Sequence, residues 1–207
     1  MMKMKHLALA AAASAAVACG QAPAPKGALE TIMGRKSVRS YTEEPVTDAQ
    51  VETILKAAMA APSGMNVQPW RFVVVSDQAV KEALCADSFN KMIAQAPVVI
   101  VVCGETTVMR RPRGAAEDAV PVPVPNGNWT ADCAAAAENL LLAVEALDLG
   151  AVWTACYPYE ERMAPTRKAL GLPEGVTPYC IIPIGHPAVE EPAKDKWKPE
   201  NIHYNRW

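Results

Sequence analysis

The sequence predicts a layered domain of the α+β or α/β class, in which helices pack on a β-sheet. Of the 207 residues, 51% are hydrophobic and 20% are charged, which is enough apolar material for one core and excludes a wholly disordered chain. Two apolar, β-branched runs at 71–76 and 98–103 have the composition of strands. Segments with a helical period lie before, between and after them, so helices and strands alternate along the chain.

The first two predicted elements are helices. One covers 29–34. The other begins at the capping box that Thr47 forms with Gln50, and its apolar residues recur at i, i+3, i+4, i+7 and i+8 from Val51. This helix must end before Pro62, because proline cannot continue the hydrogen-bond ladder.

Strand and helix patterns then continue to alternate. The strand at 71–76 leads into 78–95, which is helical in character, and then into the fully apolar strand at 98–103. The segment 105–128 has no helical period and contains four prolines. We therefore expect a long loop over the surface there, of the kind that is usually functional or mobile.

The C-terminal half begins with the clearest helix pattern of the chain, the Ala-rich and Leu-rich segment 130–149. A strand is expected at 151–155, and a helical stretch that a proline interrupts at 158–171. The last apolar strand covers 179–185. The tail at 186–207 is polar and has no core of its own.

Charge and motif content exclude several classes of protein. Lys and Arg total 20 against 22 for Asp and Glu, so the chain lacks the basic excess of a nucleic-acid-binding protein. Three His and no CxxC pair indicate neither a multi-histidine metal site nor a zinc site. Ser63 has no marked His partner, which disfavours a serine hydrolase.

The N-terminus is typical of a bacterial export signal. Basic Lys3 and Lys5 precede the apolar stretch 7–17, which is too short to span a bilayer. Residues 1–18 are thus predicted to be a signal peptide, followed by a lipidated Cys19 and a tether at 19–27. The protein would then be an exported lipoprotein of a bacterial envelope, in contact with the membrane only through Cys19; a secreted protein with an unmodified Cys19 is the alternative.

Two polar clusters flank the capped helix. The first is Arg35-Lys36-Ser37-Val38-Arg39, whose arginines and serine have the donors for a phosphate, although a solvated basic turn has the same composition. The second is the segment 61–70, APSGMNVQPW, which presents Ser, Asn and Gln between a helix and a strand. An ordinary connecting loop is the simpler interpretation of that segment alone. Together, the two clusters indicate a ligand site.

The R-x-S-x-R segment followed by A-P-S-x-x-N-x-Q-P-W and a hydrophobic strand resembles the FMN-dependent nitroreductase family, which includes flavin reductases and iodotyrosine deiodinase. The later GAVWT segment at 150–154 and the closing Gly-His-Pro at 185–187 extend the resemblance over 29–207. It implies an α+β three-layer sandwich at 28–207 with a central mixed, mainly antiparallel sheet. It also implies an intertwined homodimer with FMN at the subunit interface.

The resemblance also implies which residues contact FMN. Segment 35–39 and a lysine of the tail would hold its phosphate, ribityl chain and pyrimidine edge, and Arg39 would stabilise negative charge near N1 of the reduced flavin. Residues 62–66 would reach the flavin of the other subunit, and a backbone amide at 155 or 156 would face N5. The implied contacts are Arg35, Lys36, Ser37, Arg39, Pro62, Ser63, Gly64, Asn66, Asn90, Ala155, Cys156, Lys196 and Lys198.

The activity implied by the resemblance is an FMN-dependent oxidoreductase. Hydride would pass from NAD(P)H through flavin N5 to a nitroaromatic, a quinone or a similar small acceptor, by ping-pong turnover, without a catalytic side chain or a metal. The loop 105–128 with Trp129 would form the wall on the acceptor side. The alternative function is a non-catalytic flavin-binding or ligand-binding lipoprotein of the envelope.

Overall fold

The computed structural model describes residues 26–85 and 90–207, so the predicted signal peptide, Cys19 and nearly all of the tether lie outside the described residues. At the centre is a five-stranded sheet, whose strands are β1 (Trp70–Val75), β2 (Val98–Glu105), β5 (Gly150–Ala151), β6 (Thr154–Ala155) and β7 (Val176–Gly185). Their order across the sheet is β1-β2-β7-β5, and β6 also pairs with β7.

The sheet is mixed but mainly antiparallel, as predicted. Each of the four strand pairs is antiparallel. A parallel bridge joins Ser37 to Ala151 beyond β5. Strands β2 and β7 are central and buried on both faces, which explains why their sequences are continuous apolar runs without alternation.

Helices cover both faces of the sheet, and this confirms the three-layer α+β fold. Helices α2 (Asp48–Met59) and α5 (Trp129–Ala146) lie on one face, where Ile54 and Leu140 pack with Ile100 of β2. Helices α3 (Gln78–Leu84), α4 (Lys91–Gln95) and α6 (Glu160–Leu170) lie on the other, where Ile93 packs with Val99. The short α1 (Ala28–Gly34) contacts α5.

The capping box predicted for α2 is present. The Thr47 amide donates to Gln50 Oε1 at 2.9 Å, and the Gln50 amide donates to Thr47 Oγ1 at 3.3 Å. The helix ends at Met59, before Pro62, as the sequence requires. None of the helices within the described ranges is long and apolar enough to cross a membrane.

The prediction of a loop throughout 105–128 is wrong in part. The segment contains a hairpin of β3 (Thr107–Arg110) and β4 (Val122–Pro125), which pair antiparallel. In β4, Val and Pro alternate, and a two-residue period is what a strand requires. Proline is tolerated in this two-stranded hairpin because, among the described residues, each strand has one edge that pairs with no further strand.

Two other predicted elements differ in detail. Helix α6 continues through Pro165 instead of breaking there, because Met163 and Thr166 on either side are buried and hold the helix against the domain. The predicted strand at 151–155 consists of the short β5 and β6, separated by two residues and both paired with β7.

Candidate active site

The basic segment 35–39 is fixed to the edge of the sheet. The Val38 amide donates to the Ala151 carbonyl at 2.8 Å, and the Val38 side chain is buried. Gly150 permits this close approach, because a Cβ at that position would lie 2.7 Å from the Val38 Cβ. The segment therefore lies beside β5 like a further strand, with defined positions for its polar residues.

The C-terminal tail meets this segment and closes a small basic cavity of about 120 Å³. Five cationic side chains contribute to its lining, against one carboxylate, so the cavity is suited to an anion. The lining includes four predicted contacts from the segment and one of the two predicted tail lysines, whereas Lys198 does not line it. The lining residues are Arg35, Lys36, Ser37, Arg39, Glu191, Pro192, Lys194 and Lys196.

Two of these cations face carboxylates at long distances. Arg35 Nε lies 3.6 Å from Glu138 Oε1, and Lys36 Nζ lies 3.8 Å from Glu145 Oε2. A partly exposed ion pair such as that between Arg35 and Glu138 contributes at most about 1 kcal/mol. The buried Glu145 keeps Lys26 as a second partner at 3.0 Å if Lys36 turns away. Both cations can therefore turn to a phosphate at little cost.

The second polar cluster forms a turn with an unusual backbone. A 3₁₀ turn covers Gly64–Asn66, and Met65, Asn66 and Gln68 have φ values of 52°, 55° and 51°. The Gln68 amide donates to Ser63 Oγ at 3.0 Å, and Gln68 Nε2 donates to Asn66 Oδ1 at 3.1 Å. The loop thus uses its own polar side chains to stabilise a conformation that L-residues rarely adopt.

A buried carboxylate anchors this loop through a hydrogen bond. The Gly64 amide donates to Asp132 Oδ1 at 2.9 Å, and Asp132 is only 5% exposed. No pattern in the sequence singles out Asp132, since an acidic residue in the first turn of a helix is common. Its contact with Gly64 depends on the packing of α2 against α5.

The third predicted segment follows β6. The amides of Cys156 and Tyr157 both donate to the Tyr179 carbonyl, at 3.1 and 3.0 Å, and Arg162 donates to the Ala155 carbonyl at 3.0 Å. The Cys156 amide is therefore engaged within the protein, so of the two predicted amides Ala155 is the better candidate for a ligand contact.

The Cys156 side chain is directed into the core. Its Sγ lies 3.6 Å from Thr166 Oγ1, and burial raises the pKa of the thiol above its ordinary value. A thiol that stays protonated is a weak nucleophile. Cys156 is therefore a small buried residue and not a reactive nucleophile.

The predicted role of Trp129 in the acceptor-side wall is wrong. Trp129 is 9% exposed and packs in the core, with its ring centroid 4.8 Å from that of Tyr157 and 5.9 Å from that of Tyr179. Tyr157 itself is 37% exposed, so the aromatic side chain at the surface here is Tyr157 and not Trp129.

Asn90 lies apart from the basic cavity. It is half-buried directly before α4, in the helix layer opposite α2 and α5, and its carbonyl accepts from Cys85 Sγ at 3.3 Å. The structure therefore does not bring Asn90 to the lining formed by segment 35–39. Over the described parts of the chain, no group of three or more His, Cys, Asp or Glu side chains could hold a metal ion.

Comparison with known proteins gives consistent matches over most of the chain. The model of the Nitroreductase family matches residues 32–91 and 85–186. A proposed NADH dehydrogenase/NAD(P)H nitroreductase of Archaeoglobus fulgidus is 38% identical over 183 residues, which are 86% of this chain and 98% of that protein.

Solved structures agree with the sequence matches. The crystal structure of a proposed NADH dehydrogenase/NAD(P)H nitroreductase from Bacteroides thetaiotaomicron has a TM-score of 0.76 and 44% identity, and covers 87% of this chain and 98% of its own. A proposed nitroreductase from Desulfovibrio desulfuricans in complex with FMN has a TM-score of 0.69 and 30% identity, and covers 89% and 99%.

Proposed function

Since this chain belongs to the nitroreductase family, we infer that it is an FMN-dependent oxidoreductase that takes its electrons from NAD(P)H. The observation that carries this inference is the basic cavity between segment 35–39 and the tail. FMN ends in a phosphate group, and a small cavity with a large excess of cations is the site that such a group requires.

The residues present fit the phosphate group. Arg35 and Arg39 offer forked guanidinium donors, and Ser37 offers a small hydroxyl donor between them. Lys36 and Lys196 add charge from two parts of the chain that are 160 positions apart in sequence. These residues would hold the phosphate, and the guanidinium of Arg39 would also stabilise negative charge on the pyrimidine edge of the flavin.

Residues 62–66 and Ala155 would hold the ring system. Pro62, Ser63, Gly64 and Asn66 belong to a loop that the lining of the basic cavity does not include. In a homodimer, this loop of one protomer would complete the site of the other, as the resemblance implies. The proposed dimer is supported by the exposed apolar side chains of α1, since Leu29 and Met33 are 73% and 74% exposed.

Bound FMN would supply the redox chemistry, in which hydride is taken from NAD(P)H in one half-reaction and given to a nitroaromatic, a quinone or a similar small acceptor in the next. The task of the protein is then to bind and orient. No histidine is needed as a general acid or base in this scheme. His186 faces Glu44 at 3.5 Å and does not line the basic cavity, which agrees with that expectation.

The hairpin of β3 and β4 is the proposed wall on the acceptor side. Apolar residues of both strands are open to solvent, with Met109 60% and Val122 42% exposed, and Val120 in the connection between the strands is 79% exposed. Exposed apolar side chains on a hairpin are suited to contact a planar organic molecule. Tyr157 supplies an aromatic edge near the proposed flavin contact at Ala155.

Export through residues 1–18 and lipidation of Cys19 remain part of the proposal. The support is the sequence pattern of the first 20 residues. Expression of the full chain in a bacterial host, with mass spectrometry of the N-terminal peptide, tests it: a diacylated Cys19 supports the anchor, and an intact Met1 contradicts it. A Cys19→Ser variant should lose the membrane fraction.

The test of the proposed activity is a pair of half-reactions measured without oxygen. NADH or NADPH should bleach the visible flavin band, and a nitroaromatic or a quinone should restore it. Initial rates at varied donor and acceptor should give parallel double-reciprocal lines, the pattern of ping-pong turnover. A flavin that binds but is not reduced by either nucleotide would contradict the activity and favour a non-catalytic flavin-binding protein.

A further inference from the structure

Asp132 makes one long-range contact in the described chain that no sequence motif indicated. Its Oδ1 accepts the Gly64 amide at 2.9 Å, and the two residues are 68 positions apart in sequence. Among the described residues, this is the hydrogen bond that ties residues 62–67 to an element outside their own loop. The other carboxylate oxygen, Oδ2, is buried without a hydrogen-bond partner in the described chain.

The backbone conformation of the loop at 62–68 requires stabilising contacts from outside the loop. Met65, Asn66 and Gln68 all lie in the left-handed region, which disfavours side chains with a Cβ. The bonds within the loop, such as the Asn66 amide to the Ser63 carbonyl at 3.0 Å, fix its shape but not its position on the domain. Strained backbone of this kind persists only where the surroundings determine it.

Hydrogen bonds also fix the start of α5, the helix that carries Asp132. The Asp132 amide donates to the Asn128 carbonyl at 2.9 Å, and the Asn128 amide donates to Asn126 Oδ1 at 3.2 Å. Gly64 lies so close to this turn that an added Cβ would be 2.5 Å from Asn128 Nδ2. The first turn of α5 thus fixes both the distance and the direction of the Gly64 amide.

We propose that Asp132 is a positioning residue, whose hydrogen bond to the Gly64 amide holds Ser63 and Asn66 where they contact FMN. The proposal rests on the proposed function for the identity of the ligand, but the positioning of the loop stands on its own contacts. Asp132 does not touch the flavin in this proposal; it acts through Gly64. A hydrogen bond from an amide to a carboxylate is stronger than one between neutral groups, so it is suited to holding the loop in one position.

The first test measures the affinity of the full chain for FMN by flavin fluorescence. Asp132→Ala should raise the Kd for FMN by about tenfold to a hundredfold, the loss expected for a hydrogen bond to a charged group. Asp132→Asn keeps an acceptor oxygen of the same reach and should stay within about threefold of the wild type.

Lys81→Met is the matched control for a merely structural effect. Lys81 is also buried and charged, and its Nζ donates to the Ala96 carbonyl at 2.8 Å, but it lies in α3, in the opposite helix layer. This variant should lower the melting temperature and leave the Kd for FMN within about twofold of the wild type. Equal losses of FMN affinity in Lys81→Met and Asp132→Ala would overturn the positioning role.

A second readout does not involve FMN. Hydrogen exchange of peptides that cover 62–68, measured on the flavin-free chain, should be at least about tenfold faster in Asp132→Ala than in the wild type and unchanged in Lys81→Met. If the wild type binds no FMN, the proposed function fails while this exchange experiment still decides the positioning. Unchanged exchange in Asp132→Ala would overturn the proposal.

Gly64→Ala is the second variant, for the case in which Asp132→Ala does not fold. Its Cβ would meet Asn128 and displace the loop while Asp132 stays intact. It should show the same combination of weaker FMN binding and faster exchange at 62–68. Wild-type values of both quantities in Gly64→Ala would also overturn the proposal.

Discussion

Arg35 is the residue on which the role of the basic cavity can be tested most sharply. Its side chain is 19% exposed, lines the cavity, and faces Glu138 at 3.6 Å. Arg35→Met keeps the unbranched aliphatic part of the side chain and removes the guanidinium group with its charge. A hydrogen bond between charged groups contributes about 1.5–3 kcal/mol, so a loss of about 2 kcal/mol should raise the Kd for FMN about thirtyfold.

Arg167→Met is the matched control for this prediction. Arg167 forms an ion pair with Glu160 at 2.9 Å on α6, and its side chain is 35% exposed. Both variants should lose less than about 1 kcal/mol of unfolding free energy, because each removes one partly exposed ion pair. Fluorescence titration should find the Kd for FMN changed in Arg35→Met only. Equal affinity in Arg35→Met and the wild type would refute the phosphate site.

Four further predictions concern the tail, the sheet edge and the core. Lys196→Gln should weaken FMN binding by up to about fivefold in the same titration, because Lys196 lines the cavity and a partly exposed charge pair contributes at most about 1 kcal/mol. Gly150→Ala should cost about 1–3 kcal/mol in urea unfolding and also weaken FMN binding, because its Cβ would push segment 35–39 away from β5. Burial raises the pKa of the Cys103 and Cys133 thiols to about 12, so both should resist alkylation at about pH 8 until the chain is unfolded. Because the unfolded chain ionises these thiols first, the free energy of unfolding should fall as pH rises from about 9 towards 12.

A control or an opposing result accompanies each of these predictions; for the pH dependence, a free energy of unfolding that stays constant between about pH 9 and about pH 12 would contradict it. Lys198→Gln removes the same charge from a residue that does not line the cavity, so it should leave FMN affinity unchanged. Gly127→Ala adds a Cβ where nothing lies within 4 Å, and should change the stability by less than about 0.5 kcal/mol. Rapid alkylation of Cys103 or Cys133 in the native protein would contradict the buried positions.

Much of the fold could be predicted because local patterns and tertiary structure agree. The capping box at Thr47 and Gln50 begins α2 as expected, and the unbroken apolar run at 98–103 becomes a strand buried on both faces. The two wrong predictions, a loop throughout 105–128 and a helix broken at Pro165, both took proline as a sign that regular structure ends. The alternation of Val122 and Val124 with proline fits a strand, and α6 passes through Pro165 because packing outweighs one lost hydrogen bond.

The site was predictable only where its residues are neighbours in sequence. Segment 35–39 carries its cations within five positions, so a local pattern could find it. Which tail lysine reaches it depends on the path of the chain after β7, and the structure brings Lys194 and Lys196 to the cavity but not Lys198. The bond from Gly64 to Asp132 joins the loop after α2 to the first turn of α5, 68 positions later, and no spacing rule connects the two.

The most direct measurement is an absorption spectrum of residues 19–207, purified and titrated with FMN and then with NADPH. We predict a flavin spectrum that saturates near one FMN per chain and bleaches when NADPH is added. A colourless protein that does not take up added FMN would contradict the flavin site. The family would then account for the fold of this chain and not for its activity.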